Sequence, residues 1–191
     1  MSKNSKIASA RARSVVTVGL LVPGLALGLG LGAATGRASG SEGRAAVTVV
    51  EGLRDLQPSQ TDALDGAKAS LTIVEREEST YFALRLQNIE RTDSTSVLGA
   101  HLHVGPCVAG NGVAAGAHYN DEAIHGDTTP SVSRDTEVWL EFRANAGGAA
   151  HALVTVPFTV VPGVRSVVVH ALPTASDGTA GTRLACIPVV L

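Results

Sequence analysis

Lysine almost vanishes from this chain after its opening residues: of the three present, only Lys68 lies beyond position 6. A nucleic-acid role is disfavoured on that ground, because holding phosphates needs a basic patch. The opening stretch, in turn, has no acid. It carries Lys3, Lys6, Arg11 and Arg13 and runs into an apolar segment, 15–34, rich in Leu, Val, Gly and Ala. Such a segment has the anatomy of a secretory signal. Cleavage after Gly36 or Ala38 satisfies the preference for small residues, giving a signal peptide over 1–38, a short Gly/Ser-rich linker over 39–44 and a domain over 45–191. No cysteine lies nearby, so lipid attachment is not indicated. The alternative is an uncleaved anchor, since about 20 apolar residues can span a bilayer. Pro23 and the six glycines between Gly19 and Gly36 weaken a helix there.

Removing 1–38 takes away five basic side chains (Lys3, Lys6, Arg11, Arg13, Arg37) and no acidic one, moving the formal charge from −2 to −7. The remaining chain is acidic and of a length suited to one domain. It has only two cysteines. In an exported protein they are most simply read as one disulfide, Cys107 to Cys186. Closing a loop of this length removes about 4–5 kcal/mol of unfolded-state freedom in the chain-entropy model.

Long helical periodicity, internal repeats and low-complexity tracts are also missing from the mature chain, which excludes solenoids and helical bundles. Short strand-like runs separated by turn residues take their place, an all-β pattern. Candidate strands cover 46–50, 67–75, 80–88, 97–104, 137–143, 151–160, 165–171 and 183–190. Phe82, Leu84 and Leu86 alternate with Tyr81, Ala83 and Arg85, and Val138, Leu140 and Phe142 with Glu137, Trp139 and Glu141. Each such strand is expected to bury one side. Eight strands in this length fit a sandwich or a flattened Greek-key barrel. The exception to short connections is 105–136, and long loops inside compact domains are usually functional.

All six histidines fall after residue 100. His101 and His103, one residue apart in a strand-like run, project to one face because side chains alternate. With His118 and His170 they offer four imidazoles from separate parts of the chain, a set that suits a tetragonal Cu(II) centre.

Four motifs together carry a family resemblance: Gly99-Ala100-His101-Leu102-His103, Ala115-Gly116-Ala117-His118-Tyr119-Asn120, the valine run ending at His170, and Gly181-Thr182-Arg183-Leu184-Ala185-Cys186. In this order they make 97–191 resemble the copper/zinc superoxide dismutases. The resemblance implies an eight-stranded Greek-key β-barrel of immunoglobulin-like sandwich form with a long metal-site loop. It also implies copper bound by His101, His103, His118 and His170, and a secreted antioxidant oxidoreductase that converts superoxide to oxygen and hydrogen peroxide by copper redox cycling. Under it, His118 bridges copper to zinc and donates a proton, and Arg183 attracts and orients the superoxide anion. An acidic protein needs such a local positive focus, because its net charge repels the substrate.

The zinc half departs from the family pattern. After His118 only His125 and Asp127 follow at near-family spacing, at most three ligands where a closed zinc site wants four. Asp121 or Glu122 could be recruited. The loop between His170 and Arg183 is short, with Asp177 its only charge. Both departures resemble the copper-only branch of the family, in which His125 and Asp127 would instead orient a ligating imidazole. His151 has no counterpart in the motifs and is expected at the surface. The competing reading is a non-enzymatic extracellular copper-binding or structural β-domain. In either case the expected setting is secreted, extracellular or periplasmic, with a homodimer allowed and no membrane contact beyond the signal segment.

Overall fold

The computed structural model describes residues 45–90 and 96–191. The expected signal peptide and linker lie outside the described residues. Ten strands run through the described chain: β1 (Ala45–Gly52), β2 (Arg54–Asp55), β3 (Lys68–Glu75), β4 (Thr80–Gln87), β5 (Val97–Leu98), β6 (Ala100–His103), β7 (Phe142–Arg143), β8 (Ala150–Val156), β9 (Val164–His170) and β10 (Arg183–Val190). A 3₁₀ turn (Gly112–Ala115) and one helical turn, α1 (Asp121–Ile124), lie within the long loop. No helix among the described residues is long and apolar enough to cross a membrane.

The strands form two open four-stranded sheets and a two-stranded ribbon, in the orders β1-β3-β4-β8, β2-β10-β9-β6 and β5-β7. This corrects the expected eight-stranded Greek-key barrel. Neither β1 nor β8, the outer strands of the first sheet, ladders with β2 or β6, the outer strands of the second, among the described residues. The segment 137–143, expected as a full strand, ladders only at Phe142 and Arg143 with β5. Elsewhere it makes isolated bridges, His101 with Trp139 and Asn120 with Glu137. Its backbone is held by short single contacts, such as the Leu140 N–H on the Ala100 carbonyl at 2.6 Å, and not by a continuous ladder.

Alternation decides what the first sheet buries. Ala69, Leu71 and Ile73 of β3 and Phe82, Leu84 and Leu86 of β4 are buried and share a core with Leu102, Val167, Val169, Ile187 and Val189 of the second sheet. Burying such side chains on one face is what period-two patterning dictates. The second sheet is different, because its strands are buried on both faces. Residues 166–170 of β9 are buried without interruption. One face packs into the shared core, while on the other Val168 and Cys186 pack with Leu56, Cys107 and Ala115.

That outer layer is the start of the long loop. Cys107 and Cys186 form a disulfide with a Cα–Cα distance of 5.7 Å, which pins residue 107 against β10. Gly105 follows the last residue of the β6 histidine run closely, its N–H bonded to the Ala115 carbonyl at 2.8 Å. A Cβ there would collide with the Ala114 carbonyl, so only glycine lets the loop fold back onto the sheet. Ser166 adds a hydroxyl bond to the Gly105 carbonyl at 2.9 Å.

Candidate metal centre

The register of the second sheet gathers three histidines on its outer face. Opposite β9, His101 pairs with Val168 and His103 with Ser166. Because 166, 168 and 170 share one side of β9, His170 emerges on the same face as His101 and His103. The fourth imidazole comes from the covering loop, where His118 bridges to His103. One nitrogen from each of His101, His103, His118 and His170 lies within 4.8 Å of all the others. The first, second and fourth are buried and His118 is half-buried.

What holds each ring is as telling as the convergence. His103 Nδ1 bonds the Gly116 carbonyl at 3.1 Å, and His170 Nδ1 bonds the Gly181 carbonyl at 3.2 Å. Carbonyls only accept, so both Nδ1 atoms carry the proton and both Nε2 atoms present lone pairs. Those two lone-pair atoms face each other at 3.3 Å. His118 Nδ1 lies 2.9 Å from Glu137 Oε2, and His101 Nε2 lies 2.8 Å from the Thr174 hydroxyl. His101 Nδ1 is buried with no hydrogen-bond partner. Each ring is therefore gripped at one nitrogen, leaving the other available to a cation, the arrangement that fixes tautomer and aim in metal sites.

Electrostatics agree with the geometry. Burial, reinforced by the neighbouring histidines and Arg134, pushes His101 down to about 2. Burial, with His118 next, pushes His103 to about 3, and burial pushes His170 to about 4 against the opposing bond to Gly181. These three rings stay neutral and ready to coordinate at any ordinary pH. Unpaired facing lone pairs and an orphaned buried nitrogen fit a metal ion, and among the described residues this cluster can hold one.

Glu137 lies on the side of the alternating run opposite Val138, Leu140 and Phe142. It is buried and also accepts from Trp139 Nε1 at 2.9 Å and from Asn120 Nδ2 at 3.4 Å. Burial works to raise its pKa, but these three donors outweigh it and hold the carboxyl below its ordinary range. The acids opposite Val138, Leu140 and Phe142 in the alternating run were the available signal. Thr174 gave none.

Of the other candidates, His125, Asp127 and His151 stand outside the four-histidine cluster, whereas Arg183 lies beside it. His125 is exposed at the end of α1, with Nδ1 bonded to the Asp121 carbonyl at 2.8 Å. Asp127 caps the Thr129 N–H at 2.8 Å. Neither approaches His118, whose Nδ1 is engaged by Glu137. His151 is an exposed residue of β8 opposite Arg85. Arg183 stands beside His170 in the ladder, but its two terminal nitrogens donate to the Gly112 and Gly116 carbonyls at 2.6 and 2.7 Å. It thereby ties the loop carrying His118 to β10.

No family model and no curated protein matches the chain. A solved structure described as the crystal structure analysis of the clock protein EA4 is similar, with a TM-score of 0.50 and 16% identity over 76% of this chain and 94% of that chain. That likeness bears on the fold alone. The resemblance to copper/zinc superoxide dismutases is corrected accordingly. The sheets do not close into the barrel that it implied. An oxidoreductase or antioxidant activity, with Arg183 and His118 as its catalytic groups, loses the scaffold on which it was expected. A four-histidine cluster is a general metal-holding arrangement and does not by itself carry that chemistry.

Proposed function

We propose that this chain is an exported, non-enzymatic metal-binding β-domain that holds one copper ion through His101, His103, His118 and His170. The observation that carries the reading is the facing pair of His103 and His170 Nε2 atoms, 3.3 Å apart, with both Nδ1 positions already committed to carbonyls. Copper is the favoured metal because an all-imidazole donor set follows the order that ranks Cu(II) above Zn(II). When bound, it would supply a strong cross-link between β6, β9 and the covering loop. The chain's own residues do the rest: Gly116, Gly181, Glu137 and Thr174 orient the rings, and burial holds His101, His103 and His170 in the neutral form.

Export is part of the proposal. The basic and apolar opening stretch and the disulfide suit an oxidising compartment outside the cytoplasm.

Elemental analysis after refolding with copper and zinc together tests the metal. One copper and no zinc per chain is expected, and stoichiometric zinc would overturn the assignment. The non-enzymatic part is tested by assaying the copper-loaded domain for superoxide turnover. No turnover above free copper is expected, and enzymatic rates would overturn it.

A further inference from the structure

Of the four rings, three are held by groups with an obvious acceptor: the carbonyls of Gly116 and Gly181 and the carboxylate of Glu137. His101 is held by a hydroxyl, which can accept or donate. Which it does decides whether His101 Nδ1 is a lone pair or an N–H. The other nitrogen of the ring sets the direction. His101 Nδ1 is buried with no hydrogen-bond partner, so it serves a metal only as a lone pair, with the Thr174 hydroxyl accepting from Nε2–H. The Thr174 backbone N–H bonds Glu141 Oε1 at 2.8 Å, which holds the hydroxyl in place. His101 Nε2 must then carry the proton, and Nδ1 is the free lone pair. Arg134 pairs with Glu141 on the far side and lies over the Trp139 ring, 5.0 Å from its centroid, which fixes the carboxylate in turn.

The same residues touch the loop between β9 and β10 twice. Thr174, near its start, meets His101, and Gly181, near its end, meets His170. Between them the loop closes on itself through the Leu172 N–H to the Ala180 carbonyl and the Ala175 N–H to the Thr179 carbonyl, at 2.9 and 2.8 Å. Both ends of the loop are thus bonded to imidazoles of one cluster.

We infer that Thr174 is a positioning residue for the metal site, which through Glu141 fixes His101 with Nδ1 toward the ion and couples metal occupancy to the order of the 172–182 loop. The inference rests on the metal-holding reading above. Metal binding locks the tautomer that Thr174 selects, and the locked ring in turn holds the loop.

The test compares wild type, Thr174→Val and Thr174→Ser for Cu(II) affinity and for backbone amide hydrogen exchange, metal-free and copper-loaded. Removing the hydroxyl should weaken copper binding by about 10–100-fold, the usual range for loss of a group that orients a ligand. Copper should slow exchange across 172–182 in wild type and in Thr174→Ser, but not in Thr174→Val. Equal exchange of β3 and β4 amides in all three proteins would show that the fold is intact. Thr174→Val matching wild type in affinity and loop protection would overturn the inference, as would failure of Thr174→Ser to restore them. Wild type that takes up no copper would instead overturn the metal-holding reading itself.

Discussion

His103 and His170 confront each other through Nε2 atoms 3.3 Å apart while each gives its Nδ1–H to a backbone carbonyl. Two lone pairs at that distance repel, and burial discourages the proton that would relieve them. A cation is the remaining remedy. Copper at about 100 times its dissociation constant should stabilise the fold by about 2.7 kcal/mol. Thermal unfolding with and without copper, and again after chelation, measures this. His170→Ala should abolish the shift.

Glu137 holds three donors at once, from His118, Trp139 and Asn120. Glu137→Gln keeps the shape but removes the charge that steadies His118, so copper affinity should fall by about 10–100-fold with little change of fold. Glu137→Ala should also cost about 1–3 kcal/mol of metal-free stability, since it strands buried donors. Copper titration and urea unfolding of the two variants separate the effects.

The Cys107–Cys186 bond is the covalent tie between the covering loop and β10. Replacing both cysteines by serine should lower stability by about 4–5 kcal/mol in the chain-entropy model for a loop of this length. Copper affinity should drop as well, because the same loop carries His118. Denaturant unfolding and copper titration of the double variant check both.

Glu141 supplies a pH test away from the ligands. Burial pulls its carboxyl upward, but the Thr174 backbone N–H, Arg134 and the Thr174 hydroxyl outweigh it and hold the group below its ordinary 4.5. A carboxyl lowered on folding adds stability that is present above the unfolded value and is lost as pH falls through the folded one. Wild type should therefore lose stability relative to Glu141→Gln as the pH drops below about 4.5. Melting temperature against pH for the two proteins reads the difference.

Much of the local structure was legible. Runs such as Phe82, Leu84 and Leu86 announce a one-faced strand, and β4 occupies Thr80–Gln87 as the alternation suggests. The run from Glu137 to Phe142 misled, because Glu137 and Trp139 of its other face are buried against His118 and His101 and not exposed. Two-sided burial erases the contrast that alternation relies on. The two-residue β2 was also missed, because so short an element has no period to read.

The sequence by itself determined the longer strands, the same-face placement of His101 and His103, and the two cysteines available to pair. Those depend on neighbours along the chain, where a period of two suffices. Only the tertiary structure decided that the two sheets stay open, and it brought together the four histidines that the sequence had already singled out. The assignment of Glu137 and Thr174 to orient two of the rings also came from it alone. These contacts join residues far apart in sequence, so strand register and loop closure select them, and no local pattern encodes either.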